Sequence, residues 1–267
     1  MEIFSLSGKV ALVTGALGLL GKEHCRALSE AGSNVIVTDL DGDACIAFAK
    51  TLGTDSVGVN LDVTNKSSIN RVREVILNWY GKIDVLVNNA AINDMFEDPK
   101  TNLEQSKFEN YPVEAWQRTI DVNLTGLFLC SQIIGNLMAE RGSGSIINVA
   151  STYGIVAPNQ SMYKDKSGKQ VFYKPPAYSV TKGAVISFSK YLAAYWGIKG
   201  VRVNSLSPGG VENGQDEFFK MKYTLSAPLG RMAKPNDYMG ALIFLASDSS
   251  QYMTGANLVV DGGWTCW

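Results

Sequence analysis

The chain has 267 residues, 46% of them apolar, enough for one large α/β domain spanning 1–267 around a buried core. A formal net charge of −1 provides no basic footprint for nucleic acid. The single histidine, His24, falls in an expected structural helix, which excludes a serine–histidine–aspartate hydrolase. Cys25, Cys45, Cys130 and Cys266 are scattered without metal-ligand or disulfide spacing, so buried reduced thiols and no metal site are expected. The N-terminal residues lack the basic flank and long apolar stretch of a signal peptide, and no apolar run reads as a bilayer span. A cytoplasmic protein with no membrane partner is the expectation.

In chain order, residues 9–13 form a Val-rich strand, 15–21 a glycine-rich turn and 20–31 a helix closed by Gly32. A second strand over 34–38 ends at Asp39, a helix follows over 45–52, and a third strand over 57–61 ends at Asp62. A helix over 69–80 stops at Gly81, and a fourth strand over 83–87 runs into Asn88-Asn89-Ala90-Ala91. The pattern lapses until residue 112. Residues 113–140 then read as helical with room for a bend, and 145–149 as a fifth strand ending at Ser151. A polar stretch over 159–176 precedes a helix that carries Tyr178 and Lys182 and ends near Trp196. Strands over 201–205 and 257–260 flank a Pro208-Gly209-Gly210 segment and a helix over 235–246. This alternation predicts a doubly wound, mainly parallel seven-stranded sheet with helices on both faces.

Two patterns carry chemistry. Gly15, Gly18 and Gly21 follow the first strand directly, where backbone N–H groups can meet a dinucleotide pyrophosphate; a plain strand–helix turn is the bland alternative. Asp39 stands where a carboxylate accepts hydrogen bonds from the adenosine ribose and repels a 2′-phosphate, with Thr38 and Leu40 supplying no cation. NAD is therefore favoured over NADP. Asp62 suits either an adenine contact or a cap with Thr64. Tyr178 and Lys182, four residues apart, share one helix face, and an ammonium beside a phenol favours the phenolate. Tyr163 and Tyr173 have Ser167 and Ala177 at that spacing and fail the same test.

These residues together resemble the short-chain dehydrogenase/reductase family across nearly the whole chain. The resemblance rests on the glycine loop, Asn88-Asn89-Ala90-Ala91, Asp121-Val122-Asn123-Leu124, Ile147-Asn148-Val149-Ala150-Ser151, Tyr178-x-x-x-Lys182, and Arg202-Val203-Asn204 leading to Pro208-Gly209. It implies a Rossmann-type fold and an enzyme acting on CH–OH groups. By resemblance, Tyr178 is the general acid/base, Ser151 polarises the substrate oxygen, Lys182 holds the nicotinamide ribose, and Asn123 supports a proton-relay water. Cofactor contacts are implied for Leu17, Leu19 and Leu20 in the loop, Leu40 and Val63 beside the two aspartates, Asn88 to Ala91, and Pro208, Gly209 and Val211. The chain departs from the family in placing Leu19 where single-domain members usually have glycine, and Asn213 where a threonine is common. Segments near 92–112 and 159–176 are longer than in most relatives.

The second insertion reads as a hairpin with a polar tip, its arms at 161–164 and 170–173. Lys164, Lys166, Lys169 and Lys174 face Asp165 alone, which points either to a solvated hairpin or to a surface for a polar or anionic substrate. Residues 210–228, with Phe218 and Phe219, form a candidate lid. The ending from Val260 to Trp267 is similar to members from bacterial surface-sugar or flagellin-glycan pathways. The expected function is NAD-dependent hydride transfer to or from a carbohydrate-like or nucleotide-linked alcohol or ketone, in a homodimer or homotetramer. The alternatives are a ketoreductase for acyl or small carbonyl compounds, and a non-catalytic dinucleotide-binding sensor or assembly protein.

Overall fold

A computed structural model describes residues 2–93 and 102–267; the first insertion, near 92–112, therefore lies partly outside the described residues. The apolar runs become strands β1 (Val10–Thr14), β2 (Asn34–Asp39), β3 (Val57–Asn60), β4 (Val85–Asn88), β5 (Gly144–Val149), β6 (Val201–Pro208) and β7 (Asn257–Val260). They form one sheet of order β3-β2-β1-β4-β5-β6-β7 in which every described pairing is parallel. Strand order reverses between β1 and β4, so the loops leaving those two strands diverge and open a crevice at their C-terminal ends.

The helices are α1 (Leu19–Glu30), α2 (Gly42–Ala49), α3 (Lys66–Tyr80), α4 (Asn102–Ser106), a long α5 (Val113–Arg141), α6 (Pro176–Trp196), α7 (Glu217–Ser226) and α8 (Met239–Ala246). Side-chain alternation along the strands feeds two cores. Ala11, Val13, Val35 and Val37 pack with Leu28 of α1 and Leu242 of α8. Val10, Leu12 and Ile36 pack with Ile69 and Ile76 of α3 and with Ile134 and Met138 of α5.

Three expectations need correction. Helix α5 is long and apolar enough to cross a bilayer by length and composition alone, and half of its most apolar stretch is buried inside the protein. Cys25, Cys45 and Cys130 are buried, and burial pushes Cys45 up to about 11 and Cys130 up to about 12, but Cys266 is exposed. The hairpin is reduced to a single antiparallel bridge between Lys164 and Gln170. Its first arm is instead a 3₁₀ turn, Gln160–Tyr163, because Asn159 caps it by accepting from Ser161 N at 3.0 Å. The polar tip is as expected: Asp165 accepts from the backbone N–H groups of Ser167 and Lys169.

Candidate active site

At the crevice lies a cavity of about 1170 Å³ that runs from the glycine loop to Tyr178 and on to the inserted segment. At the loop end, Gly15 adopts φ +63, and a Cβ there would stand 2.7 Å from Ala90 Cα. A Cβ on Gly21 would meet Gly15 O at 2.2 Å, so α1 can sit this close to the loop only with glycine there. Gly18 meets only Gly15 O, at 3.3 Å, and serves as the N-cap of α1 without a side-chain cap. The first-turn N–H groups of α1 thus face the cavity's loop end with no capping side chain, a cradle suited to a pyrophosphate. The shifted glycine spacing is accommodated because Leu19 is already the first residue of the helix.

Asp39 joins this cradle. One carboxylate oxygen accepts from Leu17 N at 2.9 Å and the other from Leu40 N at 2.8 Å. Leu17, Gly18, Leu19, Leu20 and Gly21 all line the cavity, as do Asp39 and Leu40. Asp62 and Val63 line the same wall, but the Asp62 carboxylate accepts from both the N–H and the hydroxyl of Thr64, at 2.9 and 2.7 Å. Asn89, Ala90 and Ala91 form the floor. The Asn89 amide donates to the carbonyls of Thr14 and Gly15, at 3.0 and 2.9 Å, and so pins the end of β4 to the loop.

Tyr178 enters through sequence punctuation. Pro175 and Pro176 start α6, with Pro176 inside the first turn, where proline's missing N–H costs nothing. This places Tyr178 and Lys182 on the face turned toward Ser151, two residues past the end of β5. The Ser151 hydroxyl stands close enough to the Tyr178 phenol to lower its pKa by hydrogen bonding, and its Oγ accepts from Tyr153 N at 3.1 Å. Lys182 is buried, donates to Val149 O at 2.6 Å, and has its Nζ 5.7 Å from the Tyr178 ring centroid. Burial pushes its pKa down to about 8. Tyr178 departs from expectation: burial raises its pKa, and the Ser151 hydrogen bond only partly offsets that. The ammonium sits over the ring, and its burial weakens its hold on its own proton. A second cation, Lys174 Nζ, lies 5.2 Å from the same ring centroid and donates to Asn93 Oδ1 at 2.8 Å.

Two predicted residues do not line the cavity. Asn123 sits in a π-helical turn of α5, Asp121–Gly126, and holds both sides of Ile92: its Oδ1 accepts from Ile92 N at 2.8 Å and its Nδ2 donates to Ile92 O at 2.9 Å. Asn88 points into the sheet's far layer, donating to Asn148 Oδ1 and Ser131 Oγ at 2.8 and 3.0 Å. It belongs to a buried polar chain that Asn148 extends to Ser189. Alternation along β4 sends Asn88 down and leaves Asn89 at the floor.

Beyond Tyr178 the cavity wall is built from the inserted segment, α7 and the C-terminal end. Met162, Tyr163, Tyr223 and Met232 are buried there with Phe172, Phe219 and Trp264 packed against them. Lys222 of α7 donates to the carbonyls of Lys164 at 2.6 Å and Met162 at 3.3 Å, which fastens the helix to the insertion. Pro208, Gly209, Val211 and Asn213 line the cavity between this wall and β6. Among the inserted lysines, Lys164, Lys166 and Lys174 line it, whereas Lys169 does not. Tyr163, Phe172 and Phe219 fall in segments that the sequence set beside the substrate, whereas Trp264 escaped it because it reaches the wall from a distant stretch of chain.

A phenol hydrogen-bonded to a serine, beside a buried lysine and a dinucleotide-shaped cradle, can exchange a proton with an alcohol oxygen while hydride leaves its carbon. Comparisons with known proteins agree with this chemistry. A family model described as enoyl-(acyl carrier protein) reductase matches residues 15–265. D-threitol dehydrogenase of Mycolicibacterium smegmatis is 34% identical, covering 98% of this chain and 95% of that protein. NAD-dependent glycerol dehydrogenase of Listeria innocua is 31% identical, covering 98% and 96%. The crystal structure of a short-chain type dehydrogenase/reductase from Mycobacterium marinum superposes with a TM-score of 0.84 at 32% identity, covering 100% of this chain and 98% of that one. The chain belongs to the short-chain dehydrogenase/reductase family, an oxidoreductase acting on CH–OH groups.

Proposed function

We propose that this chain is an NAD-dependent dehydrogenase of a polyol or carbohydrate-like alcohol, with Tyr178 as its acid/base. The observation that carries the reading is the meeting of Ser151, Tyr178 and the buried Lys182 where the cradle and the inserted wall join. Gly15, Gly21 and the start of α1 would hold the pyrophosphate, Asp39 the adenosine ribose, and Lys182 the nicotinamide ribose. When bound, the nicotinamide accepts or donates the hydride. Tyr178 takes the hydroxyl proton in the oxidising direction and returns it in the reducing one, and Ser151 fixes the substrate oxygen against it. Asn123 anchors the Ile92 peptide at the site from which it would support a water-borne proton relay. NAD is preferred because the Asp39 carboxylate would repel a 2′-phosphate. The relatives named for threitol and glycerol support a polyol.

The apolar part of the wall, Met162, Phe172, Phe219 and Met232, favours one second reading, a ketoreductase for acyl or small carbonyl compounds. Nicotinamide absorbance with a panel of polyols, sugars, nucleotide sugars and acyl ketones, run with both cofactors, separates the two. The polyol reading expects turnover of polyols with NAD+ and weaker binding of NADP+. Tyr178→Phe should keep NAD+ affinity and lose at least about 100-fold in turnover, the lower end for removing a positioned acid/base. Near-normal rates in that variant would overturn the mechanism, and equal or tighter NADP+ binding would show that Asp39 does not set the preference.

A further inference from the structure

Two phenols of the cavity wall are hydrogen-bonded to each other. Tyr153 Oη and Tyr163 Oη are 3.0 Å apart, and both side chains line the cavity. Both residues line the same cavity as Ser151 and Tyr178. Tyr153 comes from the turn after Ser151, Tyr163 from the inserted segment. Neither is free to wander. Tyr163 is buried, with its ring centroid 4.7 Å from that of Phe172 and 5.8 Å from that of Phe219. Tyr153 N is held by Ser151 Oγ.

We infer that Tyr153 and Tyr163 act as one recognition element for a second hydroxyl of the substrate, on the carbon next to the carbinol that reacts. This rests on the polyol reading above and sharpens it. Two phenols carry two O–H donors and their oxygen lone pairs, and the bond between them uses one donor and one acceptor. One donor and further acceptor capacity remain, side by side. That is the complement of an alcohol hydroxyl, which must both give and receive a hydrogen bond. Burial raises the pKa of both phenols, so both keep their protons and the remaining donor persists through the working pH range. An analogue without the neighbouring hydroxyl leaves that polar pair facing carbon, the arrangement by which enzymes reject deoxy substrates. The surrounding rings can cover the C–H face of such a substrate while the phenols take its oxygen.

The test uses two substrates of one skeleton, butane-2,3-diol and butan-2-ol, and four proteins: wild type, Tyr153→Phe, Tyr163→Phe and the double variant. The readout is the diol-to-alcohol ratio of kcat/KM, with NAD+ affinity measured in each variant to show an intact site. The wild type should prefer the diol, and either single variant should cut that preference about tenfold, the upper part of the range for losing one neutral hydrogen bond. The double variant should add little, because the two hydroxyls act as one unit. A merely structural role would slow both substrates alike and leave the ratio in place. If the wild type prefers the diol and the Tyr163→Phe ratio is unchanged, the inference is wrong and the polyol reading stands. If the wild type itself shows no preference for the diol over the alcohol, the inference falls together with the polyol reading.

Discussion

Tyr178 is held by opposing influences. Burial raises its pKa, the Ser151 hydrogen bond lowers it, and burial is the larger effect. Lys182 cannot reverse the balance while its charge rests over the ring and its own pKa is pushed down to about 8. With the proposed role, oxidation of an alcohol needs the phenolate, so its rate should rise with pH as Tyr178 deprotonates, whereas ketone reduction should fall over the same span. Removing Ser151 removes the one hydrogen bond that lowers the Tyr178 pKa. Ser151→Ala should therefore move the oxidation profile toward higher pH as well as slow it, and Tyr178→Phe should have no such profile to move. Rates of NAD+ reduction between pH 6 and pH 10 decide this; a profile that stays in place, or shifts toward acid, would sink the assignment of Ser151 as the group that tunes Tyr178.

At the scale of elements, strands and punctuation were legible and tertiary burial was not. The run 34–38 and the glycine at 21 each act through local physics, and each appears where the pattern placed it. The arm 161–164 misled because Met162 and Tyr163 look like strand residues. They are buried against Tyr223 and Met232, more than fifty residues away in sequence, and the Asn159 cap lets the chain coil toward that contact. Asn88 misled for a related reason: a motif shows which residues occur together, but the pleat decides which of them faces the cavity. Structure also sorts the inserted lysines. Lys164, Lys166 and Lys174 border the cavity and Lys169 does not, so of the two lysines at the polar tip only Lys166 reaches it, with Lys164 beside it. If the substrate is anionic, Lys164→Gln with Lys166→Gln should raise its Michaelis constant several-fold and leave NAD+ affinity alone. Lys169→Gln is the internal control, expected to do nothing. Equal Michaelis constants for an anionic and a neutral polyol in wild type and double variant would mark the tip as a solvated elaboration.

The whole molecule raises the matter of assembly. Helices α5 and α6 lie side by side on one face of the sheet, and their outer surfaces are unusually apolar for water-facing helices. Phe128 of α5 is 42% exposed, and on α6 Val180, Tyr191 and Tyr195 are 50%, 63% and 59% exposed. The Tyr191 and Tyr195 rings stack with centroids 6.0 Å apart and planes within 7°. The spacing explains the division of labour along α6: Tyr178 and Lys182 turn inward to Ser151 and Val149, and Val180 between them turns outward. A second copy of the chain packed on this face would bury those rings and brace the helix that carries the acid/base. We therefore expect a dimer or tetramer in solution, joined through α5 and α6. Tyr191→Glu with Tyr195→Glu would place two carboxylates in that interface without touching the cavity, and unpaired buried charge costs several kcal/mol. Light scattering behind size exclusion should show the wild type assembled and the double variant reduced to a smaller species, and circular dichroism should show both folded. Turnover per chain should fall with the loss of assembly, because α6 would lose its outer support. A monomeric wild type, or a double variant that assembles as before, would rule out this face as the joint.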